Sequence, residues 1–417
     1  MNRKRMVILG AGTGGTLAAN RLRKRFPTTE LEIDVVDQDN QHVYQPGLLF
    51  VPFGLAEPDD IVRKRDRQLH RGINYHESRI DRVDIEADEV HLANGTTLAY
   101  DLLLIATGTQ LLPDETPGLD GPGWNRDVFT FYDLPGATAL AERLEHFTSG
   151  RLVINFFDLP IKCPVAPLEF AFLADWFFHE RGVRDDVTIT YVTPLDGAFT
   201  KPTAAATLAS LLDEKGIEVV AEFTTGEVDT EGRKLIGYDG REIEFDLAVV
   251  VPLHGGADYV HASPGLGDEL GYIPCDPATL QSTAKPNIFV LGDAADVPTS
   301  KAGSVTHFEG EVLVANIDAF LHGRELAERF DGHANCFIET GYQKALLIDF
   351  NYDNEPVPGH FPGPVGLPLL KESRINHLGK LMFQSFYWHA LLPGRDMPGI
   401  DTHMPTAGKQ LASVGPE

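Results

Sequence analysis

The sequence has no apolar run long enough to cross a membrane. A membrane-spanning helix needs about 18 or more consecutive apolar residues, and no stretch of the 417 residues meets that requirement. The first residues, MNRKRMVILGAGTGG, pass directly from basic residues into an apolar strand and a glycine loop, without the pattern of a secretory signal. We therefore expect no signal peptide and no transmembrane helix, and a peripheral protein on the cytoplasmic side of the cell membrane.

Cysteines and basic residues are both scarce. Three cysteines are too few for the disulfide framework of a small secreted protein, so a disulfide in this chain would have a catalytic role. The 35 Lys and Arg residues stand against 61 Asp and Glu residues, a formal net charge of −26. This excess opposes nucleic-acid binding, because phosphate backbones require clustered basic side chains. It otherwise indicates a strongly solvated surface. We expect no bound metal.

A glycine-rich loop follows the first predicted strand. Apolar residues 6–9 precede GAGTGG and then TLAANRLRKRF, which is the order of strand, turn and helix. Gly10, Gly12 and Gly15 fit the pattern G-x-G-x-x-G, and the next strand, LEIDVVD, ends on Asp37. The glycines allow a pyrophosphate to approach the helix N-terminus, and the carboxylate of Asp37 accepts hydrogen bonds from a ribose. The pattern predicts a dinucleotide site.

Two later strand ends favour FAD as the dinucleotide. YDLLLIATGT contains Thr107 and Gly108, and NIFVLGDAAD contains Gly292 and Asp293. Both strands are expected to end in the same crevice of a parallel sheet, where an aspartate binds the ribityl chain of a flavin. An alternative role for Asp293, capping a following helix, is compatible with flavin binding.

The middle of the chain predicts a second α/β unit that has no phosphate loop. RLVINFF, VTITYVTPL and FDLAVVVPL are predicted strands, with helices between them. The segment after RLVINFF is DLPIKCPVAP, which has no glycine and contains prolines that remove N–H donors. We therefore do not expect a nicotinamide nucleotide to be the electron donor.

With these motifs, the chain resembles the sulfide:quinone oxidoreductases over nearly its whole length. The motifs that carry the resemblance are GAGTGG, ATGT, CPVAPLE, VPLHGG, NIFVLGDAADVPTSKAGSVTHFEGEVLVANI, ANCFIETG and ESRINHLGKLMFQSFYWHALLPG. The resemblance implies an α/β fold with two Rossmann-like domains, bound FAD, sulfide as substrate and a membrane quinone as electron acceptor. The expected domains are 1–115 with 285–330 for FAD, 116–284 for the second unit, and 331–417 for a quinone- and membrane-associated region. A homo-oligomer is compatible with it.

The resemblance also implies roles for individual residues. Cys163 and Cys336 would form a redox pair, with Cys336 nearer the flavin and Cys163 carrying the sulfane sulfur. Glu169 would act as a general base, the alternative being a carboxylate that only favours its helix N-terminus. Cys275 matches no family cysteine and is expected to be structural. The expected FAD-binding residues are Gly10, Gly12, Gly15, Asp37, Ile80, Thr107, Gly108, Gly292, Asp293 and Lys301.

The sequence departs from the family near the predicted thiol pair. Many members have a third cysteine before the RLVINFF strand, but VFTFYDLPGA has none, and Thr130 or a neighbour takes that place. Histidines that some members carry are not evident in LDGAFTKP. Two other functions stay open. One is a type II NADH:quinone dehydrogenase, which would need a second nucleotide loop, and the other is a sulfur-handling flavoprotein with weak turnover.

The segment 375–393 is mostly apolar, with a narrow polar stripe. Asn376, Lys380 and Gln384 recur at a spacing of four residues, a pattern that fits either a core helix or a helix at a membrane interface. The resemblance implies that Lys380 and Phe383 line a quinone pocket. Aromatic and apolar side chains suit the boundary between water and lipid. The residues expected there are Phe386, Tyr387, Trp388, Leu391 and Leu392.

Overall fold

The structure is a computed structural model that describes residues 3–395 and 402–411. The α-helices of these residues, numbered along the chain, are α1 Thr13–Arg25, α2 Leu134–Glu145, α3 Ala166–Glu180, α4 Pro202–Glu214, α5 Asp258–His261, α6 Gly303–Leu321 and α7 Arg374–Phe386. A π-helical turn, Tyr387–Leu391, continues α7. The expected region 331–417 lies partly outside the described residues.

The strands are short and fall into several sheets. Numbered along the chain, they are β1 Lys4–Leu9, β2 Leu31–Asp37, β3 His42–Val43, β4 Val62–Arg63, β5 Asn74–Glu77, β6 Ile80–Asp84, β7 Glu89–Leu92, β8 Thr97–Ala99, β9 Leu102–Ile105, β10 Gln110–Leu111, β11 Val128–Phe129, β12 Gly150–Phe156, β13 Val187–Val192, β14 Glu218–Val220, β15 Thr225–Asp229, β16 Lys234–Gly237, β17 Glu242–Glu244, β18 Leu247–Val251, β19 His254–Gly255, β20 Ile273–Pro274, β21 Ile288–Val290, β22 Ala295–Asp296, β23 Ala334–Gly341, β24 Lys344–Phe350, β25 Gly359–Phe361 and β26 Leu367–Leu369.

The first large sheet is parallel, with strand order β21-β9-β1-β2-β5. Strand β9 and residues 6–9 of β1 are apolar and buried on both faces, as expected for a parallel sheet covered by helices. Helices α1 and α6 pack against each other beside it. Because β21, β9 and β1 are neighbours and run in the same direction, the loops after these three strands lie together at one edge.

The second large sheet is also parallel, with strand order β11-β18-β12-β13-β14. Its central strand β12 is RLVINFF, and the predicted strands VTITYV and LAVVV are β13 and β18. The segment that carries Cys163 follows the carboxyl end of β12 and leads into α3. The predicted α/β fold with two Rossmann-like units is confirmed, whereas the domain boundaries stay a prediction.

An antiparallel hairpin of β23 and β24 connects the second unit to the C-terminal helix. Cys336 in β23 pairs with Ile348 in β24, and β23 packs against both α3 and α7. The hairpin therefore carries Cys336 to the helix that follows the Cys163 segment.

The C-terminal helix α7 presents its polar stripe to the protein. Asn376 is buried and donates to the carbonyl of Pro368 (2.9 Å), and Gln384 donates to the carbonyl of Asp60 (3.1 Å). Lys380 turns inward as well. The opposite face exposes apolar side chains to solvent. They are Ile375 (55% exposed), Leu378 (56%), Leu381 (50%) and Met382 (71%).

The expected lipid boundary at the end of this segment is wrong for most of its residues. Tyr387, Trp388, Leu391 and Leu392 are all buried in the main core. Their segment is fastened to α1, where the Asn20 amide donates to the carbonyl of Leu392 (2.7 Å). The aromatic rings therefore fill the interior, and the apolar surface lies one to three turns earlier on α7. No helix among the residues described is long and apolar enough to span a bilayer.

Candidate active site

The loop after β1 requires glycine at two positions and is open at a third. A Cβ on Gly10, whose φ is +95°, would lie 2.4 Å from the carbonyl oxygen of Ala106, and one on Gly15 would lie 1.8 Å from the carbonyl oxygen of Gly10. At Gly12 a Cβ would meet nothing within 4 Å. The loop is thus packed tightly on its inner side and bare on its outer side, where a pyrophosphate is expected.

Asp37 lies where the predicted ribose contact requires it. It ends β2, and its Oδ2 accepts a hydrogen bond from the backbone N–H of Ala11 (2.7 Å). The guanidinium of Arg65 lies 3.3 Å from the same oxygen. Burial raises the pKa of Asp37, and Arg65 opposes that rise. Ile80, at the start of β6, packs against an apolar cluster beside this sheet.

The other expected flavin contacts lie at the neighbouring strand ends. Thr107 and Gly108 follow β9, and the backbone of Gly108 is left-handed with open space beside its Cα. Asp293 lies in a short 3₁₀ turn after β21 and therefore caps no α-helix. The ammonium of Lys301 donates to the carbonyl oxygen of Asp293 (2.8 Å). Burial raises the pKa of the Asp293 carboxyl, and Lys301 and Lys162 oppose the rise. The residues present fit an FAD.

A buried hydrogen-bond chain joins the glycine loop to the C-terminal segment. His42 Nδ1 lies 3.1 Å from the carbonyl oxygen of Ala11, and Nε2 lies 2.6 Å from the Tyr387 hydroxyl. Tyr387 lies 2.7 Å from the hydroxyl of Thr13. Burial, with help from Arg65, lowers the pKa of His42 to about 3, so the ring is neutral. Since a carbonyl only accepts, Nδ1 donates to Ala11 and Nε2 accepts from Tyr387.

The Cys163 segment is tied to the first unit by its backbone. The N–H of Cys163 donates to the carbonyl of Lys301 (2.6 Å), and its own carbonyl accepts from the Tyr132 hydroxyl (3.1 Å). Its φ of +50° is left-handed, which is uncommon for a residue with a side chain. These backbone contacts hold this conformation and place Cys163 beside the Lys301 segment of the first unit.

The two thiols that the resemblance paired lie close enough for their charges to interact. Both are free and partly buried, and the hydroxyl of Ser304 hydrogen-bonds to Cys336. Burial raises the pKa of both thiols, to about 12 for Cys336, and the carboxylate of Glu169 raises them further. Cys275 is buried in a separate apolar cluster, as expected of a structural residue.

Glu169 and Lys380 form a buried ion pair beside the two thiols. Glu169 lies in the first turn of α3, and its Oε1 accepts from Lys380 Nζ and from the N–H of Glu339 (2.6 Å). The side chains are 3% and 10% exposed. Burial disfavours the charge of Lys380, but Glu169, together with Glu339 and Cys163, outweighs burial and raises the pKa of Lys380. Lys380 is therefore a cation, and it opposes the rise in the thiol pKa values.

Phe383, the other predicted quinone residue, lies one turn after Lys380 on α7. Its ring is 6.5 Å from the ring of Tyr44 and 6.5 Å from that of Tyr387, measured between centroids. Lys380 lies 5.6 Å from the ring centroid of Phe50. The structure thus brings Cys163, Cys336, Glu169, Lys380 and Phe383 into one region, which adjoins the predicted FAD residues through Lys301.

Sequence reasoning missed several residues of this site. Tyr132, two residues after Thr130 in the segment that lacks the third cysteine, donates to the backbone carbonyl of Cys163, and the ring of His254 packs edge-on against Tyr132. Glu339 and His377 adjoin the ion pair, with His377 Nδ1 lying 3.0 Å from Glu339 Oε2. An acid inside the otherwise apolar motif ANCFIETG was the available signal for Glu339. No such signal marked Tyr132.

Comparisons with known proteins agree with this geometry. The pyridine nucleotide-disulphide oxidoreductase family matches residues 4–154. The mitochondrial sulfide:quinone oxidoreductase of Mus musculus is 25% identical over 94% of this chain and 87% of its own length. That of Schizosaccharomyces pombe is 26% identical over 92% of this chain and 89% of its own length. The X-ray structure of the sulfide:quinone oxidoreductase from Aquifex aeolicus aligns with a TM-score of 0.79 at 19% identity, covering 94% and 92% of the two chains.

These matches support an FAD-dependent oxidoreductase, and the chain has the fold of the class with two dinucleotide-binding units. Within that class, its resemblance to the sulfide:quinone oxidoreductase family is confirmed. The roles of the individual site residues stay predictions.

Replacing Tyr387 by Phe is expected to weaken FAD binding without unfolding the protein. The change leaves the His42 acceptor unpaired beside the glycine loop, and an unpaired buried polar group costs about 1–3 kcal/mol. We expect the dissociation constant for FAD to rise roughly tenfold, measured by flavin fluorescence on dilution. Tyr238→Phe is the matched control, because Tyr238 is 81% exposed. Equal FAD affinity in both variants would contradict a role of the His42–Tyr387 hydrogen bond in FAD binding.

Proposed function

We propose that this protein oxidises sulfide to zero-valent sulfur through Cys163 and Cys336 and passes the electrons to a membrane quinone. The observation that carries the proposal is that the Glu169–Lys380 ion pair lies close enough to both thiols to act on their charge. The segment DLPIKCPVAP, which follows β12, contains no glycine. This supports sulfide, rather than a nicotinamide nucleotide, as the electron donor.

The thiol pair would hold the sulfur during oxidation. Hydrosulfide attacks a sulfur bridge between Cys163 and Cys336, which leaves a persulfide on Cys163 and frees Cys336 as a thiolate. Burial and Glu169 disfavour that thiolate, whereas the ammonium of Lys380 stabilises it. Glu169 is placed to hold the proton that hydrosulfide releases, because burial raises its pKa and both thiols face it.

The electrons would leave through the flavin site. Bound FAD would supply a two-electron acceptor between sulfide and quinone, held by the glycine loop, Asp37 and the Asp293 turn. Lys380 and Phe383 would line the quinone site, where the ammonium stabilises negative charge on a quinone oxygen and the ring stacks on the quinone.

The exposed face of α7 supports contact with a membrane surface. Four large apolar side chains project from one side of the helix, and two cations, Lys371 and Arg374, lie exposed at its start. Burial of the four apolar side chains in the membrane interface would favour binding by about 1.5–3 kcal/mol per fully buried side chain. The net charge of −26 opposes anionic lipid, so apolar insertion would dominate. The relatives in mouse and fission yeast are mitochondrial, and the membrane to which this chain binds stays a prediction.

Sulfide alone is expected to bleach the oxidised flavin band of the anaerobic protein, and a soluble quinone is expected to restore it. Cys163→Ser and Cys336→Ser should each abolish bleaching by sulfide, because either change removes the sulfur bridge. Cys275→Ser is the matched control and should bleach as the parent does. Bleaching by NADH and not by sulfide would instead indicate a type II NADH dehydrogenase. Bleaching by sulfide that is too slow to support turnover would indicate a sulfur-handling flavoprotein with weak turnover.

Paired acidic substitutions on α7 are expected to release the protein from vesicles. Leu378→Asp with Met382→Asp should lower sedimentation with phosphatidylcholine vesicles at least roughly tenfold, because two apolar contacts are lost and two charges are added. Tyr238→Asp is the control, because it places an acid at an exposed hydrophobic residue of the second unit, away from α7. Unchanged sedimentation of the paired variant would contradict membrane contact through this face.

A further inference from the structure

A row of ionisable side chains runs from the thiol pair to the protein surface. Glu169 contacts Lys380, and the charge of Lys380 interacts with the carboxylate of Glu339. Both carboxylate oxygens of Glu339 lie 3.0 Å from His377 Nδ1. The side chain of Glu339 is 2% exposed and that of His377 is 19% exposed. His377 is therefore the most exposed member of the row, and it lies beside the exposed apolar residue Leu378.

The proposed reaction needs such a route. Hydrosulfide gives up two electrons and one proton when its sulfur bonds to a cysteine sulfur. A quinone takes two electrons and two protons to form the two O–H bonds of a quinol. The balance is one hydrosulfide ion, one quinone and one proton giving one zero-valent sulfur and one quinol. One proton per turnover must therefore come from solvent to a site in which the thiols are partly buried and Glu169 is buried.

We propose that His377 and Glu339 carry this proton from the surface to the Lys380–Glu169 pair, where the quinone is reduced. The inference rests on the proposed function. His377 has the two properties that the outer end of a relay needs, contact with solvent and a hydrogen bond to the next carrier. Glu339 has a carboxylate between a histidine and a lysine, and its backbone N–H donates to Glu169.

The charged groups around the relay come from three elements besides α7. The α3 helix supplies Glu169, β23 supplies Glu339 and Cys336, and the segment before α3 supplies Cys163. Burial raises the pKa of Glu339, while Lys380 and His377 favour its carboxylate. The groups that interact with the Glu169 carboxylate are Lys380, Glu339, Cys163, Cys336, Tyr44 and Tyr132.

Stopped-flow measurements on the FAD-loaded protein test the relay by separating its two half-reactions. In His377→Ala, reduction of the flavin by sulfide should keep the parent rate, and reoxidation by a short-chain quinone should slow roughly 100-fold, the usual order for losing a positioned proton carrier. Added imidazole should restore reoxidation. His389→Ala is the matched control, because this exposed histidine lies on the same segment and, among the residues that the structure describes, hydrogen-bonds to the carbonyl of Ser385. It should behave as the parent in both half-reactions.

A second variant and a measurement without turnover keep the inference open to refutation. Glu339→Gln should slow reoxidation similarly, with no rescue by imidazole. In the oxidised protein without substrates, His377→Ala should raise the pKa of the Glu339 carboxyl, because the imidazole no longer favours the carboxylate. Infrared titration, with Glu339→Gln to assign the band, measures this. Parent-like reoxidation in both variants, slowing of His377→Ala that imidazole does not rescue, or an unchanged titration would overturn the relay. If sulfide never reduces the parent flavin, the proposed function fails and the relay fails with it.

Discussion

The buried ion pair of Glu169 and Lys380 is the interaction on which the rest of the site depends. The pair joins the first turn of α3 to the middle of α7. The backbone N–H of Glu339, in β23, donates to the Glu169 carboxylate and holds it in place. Removing one partner of a buried pair typically costs about 3–5 kcal/mol, because the other charge is left without compensation. The pair therefore sets the position of α7, and with it the direction in which the apolar face of that helix points.

The same pair sets the electrostatics of the thiols. Burial alone would keep both cysteines protonated, and Glu169 adds to that tendency, whereas Lys380 opposes it. A thiolate is the reactive form of a cysteine. In the proposed reaction, the ammonium of Lys380 would favour the thiolate, and this would couple the sulfur chemistry to the residue expected at the quinone. The buried His42–Tyr387 chain makes a similar connection between the C-terminal segment and the glycine loop.

Much of the fold follows from local sequence. Apolar runs bounded by glycines predicted the central strands, and the pattern around Gly10 and Asp37 predicted the dinucleotide loop, because both depend on residues near one another in the chain. The environment of α7 depends on distant partners. The spacing of four residues predicted the polar stripe of Asn376, Lys380 and Gln384. It did not predict that Lys380 pairs with an acid on the distant helix α3. Likewise the hydrogen bond from the Tyr132 hydroxyl to the backbone carbonyl of Cys163 joins residues 31 positions apart, and the sequence carries no local signal for it.

The central claim is that sulfur is held between Cys163 and Cys336. Mass spectrometry of the protein after anaerobic exposure to sulfide without quinone, followed by alkylation and digestion, tests it most directly. The account predicts peptides of Cys163 and Cys336 that are joined through added sulfur, or a persulfide on Cys163, with Cys275 recovered as an unmodified thiol. If the flavin has been reduced by sulfide and all three cysteines are nevertheless recovered as unmodified thiols, the result would contradict the account.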